Sequence, residues 1–183
     1  MSLHPSRQRD LETLLDTNVT KYVSIQRRVL VLRAMALDRT TTASEMELSE
    51  DIFGSIDDRL NLQSQYKECS DGKIHFIPVT NHSLVGKDGI YTVNLGPMMV
   101  TGQVESKIRN AMIQQATLDL GPLTDIAHHV MICIPPGTMG SWIAYANVNH
   151  WMSVFNDNWC RYPSAQVHEI GMLNSKDLDC FCC

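Results

Sequence analysis

The residues best suited to do chemistry lie in the stretch SAQVHEIGML, where His168 is followed directly by Glu169. Ser164 predicts the cap of a helix that begins at Ala165 and carries this pair. Histidines at positions i and i+4 of a helix project from one face and bind one Zn²⁺, while a glutamate beside the first takes a proton from the metal-bound water. The second histidine would stand at position 172, where the chain has Met172. Taken alone, the pair is either half of a zinc-peptidase motif or an ordinary pair on a helix surface.

The composition favours one globular domain. The chain has 183 residues, of which 44% are hydrophobic and 19% are charged, with a formal net charge of −5. This length and composition suit a single domain with a sizeable core. No dense block of Lys and Arg offers a basic face for phosphates, so we expect no nucleic-acid partner.

No apolar run is long enough to span a bilayer, so we expect no membrane span. The first twenty or so residues lack the apolar region of a secretory signal peptide. The chain is therefore either cytosolic or preceded naturally by further residues.

The chain has six cysteines and two Asn-x-Ser/Thr sequons, which bear on whether the protein is cytosolic or secreted. Cys133 and Cys160 could form a disulfide in a secreted protein or remain buried thiols. The stretch CFCC at 180–183 either binds a soft metal or is a frayed terminus. The sequons at Asn18 and Asn81 matter only if the protein is secreted.

The apolar pattern predicts an α/β fold. Residues 29–34 are apolar on both faces, which is typical of a central strand. Ser44 and Glu47 form a capping-box signature for a helix that ends at Gly54. An apolar residue at every fourth position predicts the helix 103–120. We expect further strands at 73–79, 90–95, 128–134 and 141–148 and a helix at 57–72, in the order β, α, α, β, β, α, β, β, α.

Several other residue types with chemical potential have a structural explanation. His128 and His129 lie at a predicted strand start, where a structural role is favoured over metal binding. Trp142, Tyr145 and Trp151 are expected to pack against the sheet rather than to bind a substrate.

The segment HHVMICIPPGTMGSWIAYANVNHWMSVFNDNWCRYPSAQVHEIG, residues 128–171, resembles the gametolysin-type zinc metallopeptidases, which are algal cell-wall peptidases of the metzincin group. In that family a strand ending in Cys, a Pro-Pro-Gly turn and a Trp-Ile-Ala-Tyr-Ala strand precede a second Cys and the His-Glu-Ile-Gly-His helix. The earlier stretches RRVLVLRAMALD, EDIFG and LNLQSQYKECSDGKIHF are also similar to the family, so the resemblance covers roughly residues 29–171.

The resemblance implies the N-terminal subdomain of a metzincin, a twisted mixed β-sheet with packed helices. It implies His168 as the first Zn²⁺ ligand and Glu169 as the general base. The implied reaction is hydrolysis of peptide bonds in a protein or glycoprotein substrate of the cell wall or the extracellular space.

The sequence departs from the family after Gly171. Met172, Ser175 and Leu178 stand where the family has His, Gly and His. We therefore expect a leader or linker at 1–20, an incomplete peptidase domain at 21–171 and a divergent tail at 172–183, with the C-terminal subdomain missing. A chain with one of three zinc histidines is expected to be inactive and to bind no zinc. The alternative is a non-catalytic pseudo-peptidase fragment that binds a partner or has no role.

Overall fold

A computed structural model describes residues 24–54, 60–86 and 88–173, and for Met172 and Leu173 it describes the backbone only. The predicted leader at 1–20 and the tail from residue 174 onward lie outside the described residues. Asn18 and the CFCC stretch lie there as well. Within the described ranges, no helix is both long and apolar enough to cross a bilayer.

The central element is the strand β1, Ile25–Met35. Val29 and Val31 are fully buried on one face, and Leu30 and Leu32 are fully buried on the other. A strand buried on both faces reads as a continuous apolar run, because each face packs against its own layer. The predicted central strand is confirmed.

The sheet is mixed, as predicted, and within the described residues it has six strands, one more than expected. The order is β2-β1-β4-β6-β5. β2 pairs with residues 25–29 of β1, and β3 pairs with residues 31–35 of the same strand. All pairs are parallel except β5 with β6, which is antiparallel. The remaining strands are β2 (Ile74–Pro78), β3 (Ile90–Asn94), β4 (His129–Ile134), β5 (Ala144–Ala146) and β6 (Met152–Asn156).

Helices cover both faces of this sheet and give two hydrophobic clusters. The first cluster joins the Val29 face of β1 to α1, α2 and α5, and the second joins the Leu30 face to α3 and α4. The helices are α1 (Glu45–Phe53), α2 (Leu62–Cys69), α3 (Glu105–Leu120), α4 (Leu123–Ile126) and α5 (Pro163–Leu173). The chain therefore forms three layers, with the predicted His168 helix and the predicted 103–120 helix on opposite faces.

The N-terminal cap was predicted correctly for α1 but not for α2. Ser44 and Glu47 form the predicted capping box of α1. For α2 the expected continuous helix over 57–72 is wrong, because residues 60 and 61 are not helical and Asn61 caps the helix by accepting from the Ser64 N–H at 2.8 Å. Residues 55–59 lie outside the described ranges.

One further expectation near the C-terminal end of the described chain is wrong, and one strand there was not expected. Ser164 does not cap α5, because the helix begins at Pro163, two residues before the expected start at Ala165. The N–H that proline lacks costs nothing in the first turn. The segment after residue 148, to which the sequence pattern assigned no strand, contains β6, which pairs with β4 and β5. The helix α5 also continues to Leu173, two residues into the predicted tail.

Gly171 fits α5 against α2. A Cβ at this position would lie 3.3 Å from the Tyr66 hydroxyl oxygen, a tight contact. That hydroxyl donates to the Val167 carbonyl oxygen at 3.1 Å, and Tyr66 is buried. Glycine within a helix costs about 1 kcal/mol relative to alanine, and here it leaves room for the tyrosine.

We predict coupling between these two positions. Gly171→Ala should increase the free energy of unfolding in a Tyr66→Phe background by about 0.5–1 kcal/mol more than in the wild type, because the clash is absent there while the gain in helix propensity remains. Urea unfolding of the two single variants and the double variant measures this. A coupling energy near zero would show that the hydroxyl does not restrict position 171.

Candidate functional site

The helix α5 holds the candidate residues at the sheet edge formed by β5. It contacts β5, β6 and α2, and Val167 and Ile170 are buried in the cluster beneath it. His168 follows Val167 on the helix and is exposed, whereas Glu169 keeps only 8% of its surface exposed. The two adjacent residues therefore have different environments.

The carboxylate of Glu169 lies beside the edge strand β5. The nearby backbone N–H of Ala146 favours its ionised form. Burial raises the pKa of Glu169 above the usual carboxyl range, and the charge of His168 and this N–H oppose that shift. A carboxyl with a raised pKa is closer to the value that suits proton transfer near neutral pH.

The register of β5 explains why the Ala146 N–H is available. The Asn156 N–H donates to the Ile143 carbonyl at 2.8 Å, so Ile143 and Asn156 form a hydrogen-bonded antiparallel pair. In an antiparallel ladder such pairs alternate with pairs whose backbone groups point away from each other. Ala144 and Ala146 belong to the second kind. Their N–H and C=O groups point away from β6, toward the side on which no strand of the described ranges pairs.

The described part of α5 carries only the first of the two histidines that a zinc motif places one helical turn apart. Position 172 follows His168 by one helical turn, and Met172 supplies no nitrogen ligand. Among the residues that the structure describes, no group of three or more His, Cys, Asp or Glu side chains is arranged to hold a metal ion. Ser175 and Leu178 lie outside the described residues.

A disulfide between Cys133 and Cys160 fixes the start of α5. Cys133 lies near the end of β4, Cys160 lies in the 3-10 helix Asp157–Arg161 that precedes α5, and both are fully buried. The Gln166 side-chain amide donates to the Cys160 carbonyl at 2.6 Å. Of the two alternatives for these cysteines, the structure has the disulfide. Cys69 is disulfide-bonded as well.

Polar contacts hold the same 3-10 helix against the α1 region. Asp157 accepts from the N–H and the hydroxyl of Thr42, both at 2.8 Å. Arg161 forms ion pairs with the buried Asp51 and with Glu47, and the hydrogen bond to Asp51 raises the pKa of Arg161. Sequence analysis missed these residues, because partners 110 to 115 positions apart carry no local signal.

A cavity of about 430 Å³ lies beside this ion pair, at the start of α5. It does not reach His168 or Glu169. Its lining includes both a cation and a buried anion, so its charge gives no preference for an anionic ligand. The lining residues are Asp51, Leu60, Asn158, Arg161, Tyr162 and Pro163.

The aromatic side chains lie on the opposite face of the sheet from Glu169. Trp142, Tyr145 and Trp151 pack, partly buried, against the α3 cluster. The Tyr145 hydroxyl accepts from Arg109 at 2.8 Å. This position agrees with the expected packing role.

The two adjacent histidines have structural contacts. Nδ1 of His128 accepts from the Arg28 N–H at 2.9 Å, and the His128 N–H donates to the Arg28 carbonyl. His129 is buried, with its ring 5.6 Å from that of Phe76.

No protein-family model, curated protein or solved structure matches the chain.

We predict that the Cys133–Cys160 disulfide contributes about 3.5 kcal/mol to the free energy of unfolding, as the chain-entropy relation gives for a separation of 27 residues. The double variant Cys133→Ala/Cys160→Ala should lose this amount in denaturant titrations without reductant. Adding reductant to the same variant measures the separate contribution of the Cys69 disulfide. A double variant within about 0.5 kcal/mol of the wild type would contradict the prediction.

Glu169→Gln should increase stability near neutral pH, because burial disfavours the ionised carboxylate. A folded-state pKa above the unfolded value means that the folded state binds more protons, so this group's contribution falls as pH rises. The advantage of Gln should therefore shrink as the pH is lowered toward about 4.5.

Thermal unfolding across that pH range measures the effect. Glu68→Gln is the matched control, because it makes the same charge change at an exposed position. Equal pH profiles for the two variants would show that burial does not govern Glu169.

Proposed function

We propose that this chain is a member of the gametolysin-like zinc metallopeptidase family, with α5 as the active-site helix and Glu169 in the position of the general base. We propose further that the chain as it stands does not hydrolyse peptides. The observation that carries the proposal is the buried carboxylate of Glu169 on a helix that packs against β5, near the outward N–H of Ala146.

The geometry at β5 supports a peptide as the substrate class. Extended peptides bind to exposed sheet edges by adding a strand, using outward backbone N–H and C=O groups. Ala144 offers both groups on the outer side of β5. A peptide paired there would run beside Glu169, within the region where a general base must act. This arrangement agrees with the protein or glycoprotein substrate that the sequence resemblance implies.

The side chains do not fit a catalytic zinc ion. Such a site takes three protein ligands and one open position. His168 is one suitable ligand, whereas Met172 offers a thioether, which suits softer metals. Only the resemblance to the family implies zinc. We therefore propose no zinc-dependent catalytic step for this chain.

The disulfides support an extracellular setting. Cys133–Cys160 and the disulfide at Cys69 are the kind of bond that persists in oxidising compartments and is rare in the cytosol. Extracellular or cell-wall proteins are accordingly the substrate class of the proposed family role.

A second candidate function is a non-catalytic peptide-binding module. The open side of β5 favours it, because strand addition needs no metal. Ile143 and Val148, on either side of β5, are 50% and 54% exposed, so apolar side chains flank the open backbone. Both candidates bind a peptide at β5. They differ in whether a variant with added zinc-binding histidines would cleave that peptide.

We predict that Met172→His creates zinc affinity. Positions 168 and 172 both lie within α5, so two imidazoles would share one face of the helix. Calorimetric titration with ZnCl₂ should give an affinity about tenfold or more above the wild type, equivalent to ~1.4 kcal/mol. Adding His168→Ala should abolish the gain.

Leu173→His is the matched control, because it adds one histidine to the same helix but at a position rotated by about 140° from His168. Equal zinc affinity for the 172 and 173 variants would contradict the proposed site. A stoichiometric, submicromolar zinc site in the wild type, or chelator-sensitive proteolysis lost in Glu169→Gln, would overturn the proposed inactivity.

A further inference from the structure

The loop between β2 and β3 presents the sequon Asn81-His82-Ser83 on the surface. The loop is anchored by Val79 and Val85, which are 0% and 5% exposed. Between these two anchors the side chains of Asn81 and Ser83 are exposed. The sequon is therefore held outward by two buried positions that flank it.

His82 makes the contacts that shape the turn. Its carbonyl accepts from the Val85 N–H at 3.1 Å, and its Nδ1 accepts from the Leu84 N–H at 3.3 Å. Within the described ranges, no hydrogen bond engages the side chains of Asn81 or Ser83. Modifying the Asn81 amide would thus break no contact of the fold.

We propose that Asn81 is an N-glycosylation site. The Asn-x-Ser/Thr pattern with x other than Pro is the acceptor signal for this modification in secreted proteins. The donor is an oligosaccharide linked through pyrophosphate to a lipid. Nδ2 of Asn81 forms a bond to C1 of the first sugar and loses one proton, while the bond from C1 to the pyrophosphate oxygen breaks and the lipid pyrophosphate leaves.

The disulfides provide an independent argument. The Cys133–Cys160 bond and the disulfide at Cys69 indicate a chain that matures in an oxidising compartment. In eukaryotes that compartment is also where N-linked glycans are attached. The sequon and the disulfides thus indicate the same route, although neither feature depends on the other.

The position of the loop also gives the glycan a physical effect. β2 and β3 both pair with β1 from the same side, which is the sheet edge opposite β5. Exposed sheet edges pair readily with other chains, and proteins protect them with charges, bulges or covering groups. A glycan on Asn81, between β2 and β3, would shield this edge and leave the β5 edge on the far side of the sheet uncovered.

The test uses the full chain behind a cleavable signal sequence in a eukaryotic secretory host, in an Asn18→Gln background so that the other sequon does not contribute. Cell lysate and medium are both analysed, because attachment precedes secretion. Peptide-N-glycosidase F in ¹⁸O-water should decrease the apparent mass by one glycan and convert Asn81 to ¹⁸O-labelled Asp.

Two variants at an exposed residue separate the sequon from the surrounding loop. Ser83→Ala should abolish the modification, and Ser83→Thr should retain it, since threonine also completes the acceptor signal. An unmodified Asn81 in disulfide-bonded chain from either fraction would overturn the proposal. So would a glycan that persists in Ser83→Ala.

Discussion

Burial of β1 on both faces is the constraint on which the other elements depend. Its alternating side chains divide the interior into two clusters, and its backbone pairs with β2, β3 and β4. Backbone groups buried on both faces must be satisfied within the sheet, because no water reaches them. Each layer of helices therefore has a fixed face to cover. The helix that carries His168 and Glu169 covers the Val29 side, and its position follows from the strand at the centre.

The position of α5 is then fixed by contacts from distant parts of the chain. The Cys133–Cys160 disulfide joins its approach to β4, and Arg161 binds Asp51 of α1. Tyr66 of α2 donates to its backbone beside Gly171. Because the helix is held at its start and along its inner face, Glu169 is brought to the edge of β5 and is buried there. The raised pKa of this carboxyl is a consequence of that packing.

The features that the sequence predicted depend on neighbouring residues, whereas the features that it missed depend on contacts between residues far apart in the chain. The alternation in β1 and the Ser44 capping box are local patterns, and both are confirmed. β6 was missed because its five residues lie between a positive-φ Asn149 and a 3-10 helix, with little alternation, and its pairing with β4 is not local. The Arg161–Asp51 ion pair could not be predicted, because side chains 110 positions apart meet only through the fold. For the candidate site, the sequence identified His168 and Glu169 but not the Ala146 N–H.

The residues that hold α5 in place and the candidate metal ligand His168 lie on different faces of the helix. Val167 and Ile170 hold α5 in place through the inner face of the helix, while His168 lies on the exposed face and contributes nothing to the core. The side chain at position 168 can therefore change without loss of a core contact. A fold does not by itself establish a function, which resides in the side chains that it carries. In the proposed role, peptide binding at β5 would depend on the backbone of the sheet edge, whereas hydrolysis would depend on the side chains that complete a metal site around His168.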